Sequence, residues 1–104
     1  LTPGMRRRQM QALATHIEGR SHPVIIAGDF NEWKKDAGVF GPSAEMVLPG
    51  LSFHASRPTA ALDRFVLAGT TRYVSSHVHK SELARRASDH LPIVLDIDFG
   101  DRTV

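Results

Sequence analysis

Two periodicities organise the chain. In "LTPGMRRRQMQALATHIEGR", Met10, Leu13, Ala14 and Ile17 recur at i, i+3, i+4 and i+7, which predicts a helix with one apolar stripe. Thr2 is placed to cap its start, Pro3 suits the first helical position, and Gly19 suits the stop. "HPVIIAG" follows as a continuous apolar run of β-branched residues, the pattern of a strand buried on both faces. A helix of about 15 residues leading into such a strand indicates an α/β layout.

Residues 34–50, "KKDAGVFGPSAEMVLPG", are rich in Gly, Pro and polar residues and read as a surface loop with room for one helical turn at 43–47. "LSFHA" reads as a short strand. "ALDRFVLAG" is a further strand, with Leu62, Arg64 and Val66 alternating against Asp63, Phe65 and Leu67. "TRYVSSHVH" alternates as a half-exposed strand, and "KSELARRAS" is a polar connection that can hold a helical turn. "LPIVLDIDF" is the last strand, with Pro92 near its start, where a missing donor is tolerated. The expected architecture is one mixed β-sheet with strands at 24–28, 64–68, 73–79 and 93–98, and a 3–18 helix packed on one face.

Composition narrows this picture. A chain of 104 residues forms a single domain and can bury roughly 60–70% of its unfolded surface. The apolar fraction of 41% and charged fraction of 23% are ordinary for a globular protein, which argues against disorder. A net charge of +2 does not by itself imply nucleic-acid binding. The absence of cysteine excludes disulfides and cysteine-based zinc or redox sites. No apolar run approaches the ~20 residues of a membrane-spanning helix. The chain opens on Leu1 in mid-pattern, so it is expected to be a piece of a longer protein. Its localisation stays open, with the cytoplasm favoured.

The candidate chemistry sits at strand ends. Asp29 closes the first strand in "GDFNEW"; if the backbone stays extended, Asp29 and Asn31 project to one side and Phe30 to the other. Asp63 opens the next strand, and Asp89 and His90 precede the last. Clustered carboxylates suit a hard divalent cation such as magnesium. A carboxylate beside an imidazole fixes its tautomer and raises its basicity, as general-base chemistry needs. An Asn amide can donate to charge developing on a phosphoryl oxygen. Each stretch also has a plainer explanation: Asp and Asn after a strand cap turns through the local backbone, and "SDHLP" can be a capped loop.

The order "GDFN", "LDRFVL", "SDHLPIVLDI" resembles the endonuclease/exonuclease/phosphatase family of metal-dependent phosphoesterases, over essentially the whole chain. The "RRRQ" helix before "GDFN" is similar to that of bacterial members. The resemblance implies a DNase I-like fold, here the carboxy-terminal half of a four-layer α/β/β/α sandwich, with 1–104 as a partial domain. It also implies residue roles. Asp29 matches the Asp that positions or activates the attacking water, and Asn31 the Asn that contacts the scissile phosphate. Asp63 matches the Asp that supports the leaving-group or metal side. Asp89 matches the Asp that binds metal or partners the histidine. His90 matches the histidine that acts as base or phosphate stabiliser. The implied metal ligands are Asp29, Asn31 and Asp89, the implied ion Mg2+ or Mn2+, and the implied substrate-binding residues Asn31 and His90. Family domains run to roughly 250 residues, well beyond one ~100-residue unit. Their amino-terminal half supplies an Asn, the main metal-binding Glu and a further His, none of which has a counterpart here; Glu32 and Glu45 fall outside the motif positions.

The remaining features read as ordinary structure. His77 and His79 share one side of a strand but lack a third ligand. Arg6–Arg8 and Arg85–Arg86 can meet phosphate or nucleic acid, and a solvated helix face and loop explain them as well; Trp33 reads as packing under its loop. His16, His22 and His54 have no motif context. Two functions remain: a metal-dependent phosphoesterase acting on nucleic acid, a phospholipid headgroup or an inositol phosphate, or a non-catalytic module that binds nucleic acid or a phosphate ligand. Three carboxylates that repel phosphate without a metal favour the enzyme. The expected partners are the amino-terminal half of the domain and, through the exposed sheet face, a second copy. The chain alone is expected to be inactive.

Overall fold

A computed structural model describes residues 3–18, 23–31, 37–69 and 71–99. Helix α1 spans Pro3–Ile17, as the apolar stripe predicts; the expected caps at Thr2 and Gly19 lie outside the described residues, as do His22, Glu32 and Trp33. Strand β1 covers Val24–Asp29, β2 Glu45–Val47, β3 Asp63–Ala68, β4 Arg72–Val78 and β5 Ile93–Asp98, with a second helix, α2, over Glu82–Ala87. Ser81 caps α2 by accepting the Ala84 N–H.

The single mixed sheet expected from the sequence is instead two sheets, β1-β3-β2 and β4-β5, and each described pairing is antiparallel. The reason lies in β3, whose two edges are already occupied: Val66 faces Ile26 of β1 on one side and Met46 of β2 on the other. With no free edge beside it, β4 pairs with β5. The helical turn expected at 43–47 is strand β2, preceded by a 3-10 turn at Gly38–Phe40. "LSFHA" contributes isolated bridges at Phe53 rather than a strand.

Burial also departs from the simple pattern. β3, read as alternating, is buried from Arg64 through Leu67, because both of its faces are covered. Val66 packs with Met10 of α1 and with Phe30, while Phe65 and Leu67 pack with Val47 against Ile93, Leu95 and Ile97 of β5. α1, the three-stranded sheet and the β4–β5 sheet therefore stack as three layers. β1, read as buried on both faces, is the edge strand of its sheet, and Ile25 stays 40% exposed. β5 covers the central part of the sheet face opposite α1, but not the part beside Ile25 and Ala27.

Candidate active site

The site forms where β1 and β3 end together. Asp29 and Asp63 are the last register pair of that ladder, so their side chains leave the sheet on one face. His90 arrives by a short irregular pairing: Phe53 bridges both Ala60 and His90. The Ala55 N–H donates to the Asp89 carbonyl at 2.7 Å, and the Leu91 N–H to the Ser52 carbonyl at 2.8 Å. The Ser88 hydroxyl accepts the His90 N–H at 3.1 Å, giving the serine of "SDH" a local role.

These supports place His90 between two carboxylates. Its Nδ1 lies 2.7 Å from Asp63 Oδ2 and its Nε2 3.8 Å from Asp29 Oδ2. An ionised carboxylate only accepts, so Nδ1 carries the proton and Nε2 is the atom left for chemistry. The Ser52 hydroxyl donates to the same Asp63 Oδ2 at 2.6 Å and is fully buried. The Phe53 ring lies 4.9 Å from the imidazole, tilted by 51°. The His90 pKa is raised above its usual value, foremost by the hydrogen bond to Asp63, with burial opposing and the charges of Asp63, Asp29 and Asp89 adding to the rise.

Asn31 sits differently from the extended picture. Its φ is 53°, in the left-handed region that Asn tolerates better than most residues. Its N–H donates to Asp29 Oδ1 at 2.7 Å. "GDFN" is thus both a capped turn and a contributor to the cluster; the two explanations of the motif coincide. Asp89 is exposed, and the hydrogen-bond partner of His90 is Asp63 rather than its sequence neighbour.

Asp29, Asp63 and His90 offer ligand atoms within 4.8 Å of one another. The donor set fits a hard divalent ion only in part. Asp63 Oδ2 already accepts two hydrogen bonds and its side chain is 14% exposed, against 41% for Asp29, which makes Asp29 the more open carboxylate. Sequence reasoning missed Ser52, Phe53 and Arg64. A loop serine has no periodicity to reveal it, and the alternation of β3 gives Arg64 a side of the strand but no burial.

The sequence profile of the Endonuclease/Exonuclease/phosphatase family matches residues 1–90, a span that contains Asp29, Asn31, Asp63, Asp89 and His90. The chain is also similar to a UPF0294 protein of Klebsiella pneumoniae (strain 342), 32% identical over 95 residues. That match covers 89% of this chain and 36% of the relative, so the chain spans about a third of that protein's length. No solved structure matches it.

Proposed function

The chain belongs to the endonuclease/exonuclease/phosphatase family, and from that membership and the strand-end geometry we propose that the intact protein hydrolyses a phosphoester with a divalent metal. The observation that carries this reading is the 2.7 Å bond from His90 Nδ1 to Asp63, which directs Nε2 toward Asp29. Asp63, held by Ser52, fixes the imidazole tautomer; His90 Nε2 takes or gives the proton. Asn31 donates its side-chain amide to a phosphoryl oxygen, and Asp29 orients the attacking water. Asp29, with Asn31 and Asp89, would hold Mg2+ or Mn2+, which when bound polarises a phosphoryl oxygen and lowers the pKa of its water.

This chain corresponds to the carboxy-terminal half of a four-layer sandwich, and the other half supplies the main metal-binding Glu. Alone it should hydrolyse little or nothing, because magnesium dehydrates reluctantly and a half-site holds it weakly. The uncovered sheet face beside Ile25 takes the missing half or, without it, a second copy. The test is magnesium-dependent hydrolysis of bis-p-nitrophenyl phosphate by the intact protein and by His90→Ala. The substitution should lower turnover by roughly 100-fold; equal turnover would remove His90 from the chemistry.

A further inference from the structure

Among the described residues, Arg64 is the buried charged side chain, and the chemistry above leaves it unused. It is 4% exposed on the central strand β3, on the face shared with Val66 and α1, opposite Asp63. A buried guanidinium is costly unless its donors are used. Burial lowers its pKa, and the charge of Asp29 opposes that shift. Among the described residues its donors reach three separate segments. Nε donates to the Ala61 carbonyl at 3.0 Å, one terminal nitrogen approaches Met46 Sδ at 3.6 Å, and the other donates to the Asn31 carbonyl at 3.3 Å.

The last contact bears on the site. Asn31 holds φ 53°, and its N–H is tied to Asp29 Oδ1 at 2.7 Å. Its carbonyl is tied to Arg64. The turn is therefore gripped from the solvent side by a carboxylate and from the core side by a guanidinium.

We propose that Arg64 is a positioning residue for the phosphoester reaction: from beneath the sheet it fixes the turn that carries Asp29 and Asn31, so that both side chains meet the substrate beside His90. This rests on the phosphoesterase reading above. Arg64 acts through the Asn31 backbone rather than on the substrate. A planar fork reaches three acceptors at set angles; a lysine, a single point charge on a flexible stem, does not.

Two measurements on the intact protein test it. The first is the backbone 15N order parameter in Arg64→Lys. At Asn31 it should fall from a rigid value near ~0.85 to below ~0.6. Phe65, Val66 and Leu67, which are paired on both sides, should stay rigid. An unchanged Asn31, or an equal fall throughout β3, would overturn the proposal. The second is kinetic, on bis-p-nitrophenyl phosphate with magnesium. Arg64→Lys should lower kcat roughly tenfold with KM little changed, the scale of a misplaced catalytic group. In an Asp29→Ala/Asn31→Gly background, where glycine keeps the positive φ but both side chains that the turn positions are gone, the same substitution should change kcat less than about twofold. Equal losses in both backgrounds would overturn it. If the wild type hydrolyses nothing, the phosphoesterase reading falls, and the order parameters alone decide whether Arg64 fixes the turn.

Discussion

Asp29 and Asp63 face one another across the last register pair of the β1–β3 ladder, and His90 stands between them. Like charges directly opposite in a sheet are unfavourable. The imidazole offsets that repulsion while protonated, which is why its pKa is raised, foremost by the bond to Asp63.

Stability should therefore depend on pH in a defined direction. A pKa raised in the folded state contributes stability that is complete below the unfolded value, about 6.5, and is lost as pH rises through the folded value. Denaturant unfolding from pH 6 upward should show that decline in the wild type. It should be flatter in His90→Gln, and a wild-type profile as flat as that variant's would refute the coupling.

Removing one carboxylate should separate stability from function. Asp29→Asn relieves the facing charges, and above the His90 pKa it should stabilise the fold by about 0.5 kcal/mol. The same change should cost the intact protein roughly 100-fold in turnover, the scale of losing one acid–base group. Unfolding midpoints and kcat, measured on one preparation, read both effects.

The fully buried Ser52 hydroxyl donates to a charged acceptor. Ser52→Ala should destabilise the fold by about 2 kcal/mol. Ser52→Thr, which keeps the hydroxyl, should recover most of the loss in a denaturant titration.

The sequence made some of this legible, and the limits have physical reasons. α1, β3 and β4 follow from periodicity, and β1 and β5 from apolar runs, because each has enough residues for a pattern to show. β2, three residues long in a Gly- and Pro-rich stretch, has no period to detect. The two-sheet arrangement depends on which strand edges are free, a property of pairing that no single segment encodes. Asp29, Asp63 and His90 could be named because motif order marks them, but adjacency also offered Asp89 as the histidine's partner. Asp63 takes that place because the Ser52–Ala55 segment pairs with residues 89–91 and carries the ring to the end of β3.

A bound ion should be visible without any substrate. Magnesium added to the intact protein should raise the unfolding temperature with concentration, as expected for a ligand of the folded state. Asp29→Ala should abolish most of that rise, and EDTA should reverse it in the wild type. A concentration-dependent rise that persists undiminished in Asp29→Ala would place the ion elsewhere.

The most direct test of the Asp63–His90 pair is the pH dependence of hydrolysis in the intact protein at saturating magnesium. Rate should rise with pH as His90 loses its proton, with an acid limb above about 6.5. Asp63→Asn removes the interaction that raises the imidazole most. It should move that limb to lower pH and cut the plateau rate by roughly 100-fold. A variant with the wild-type limb and plateau would contradict the claim that Asp63 and His90 act as one unit in phosphoester hydrolysis.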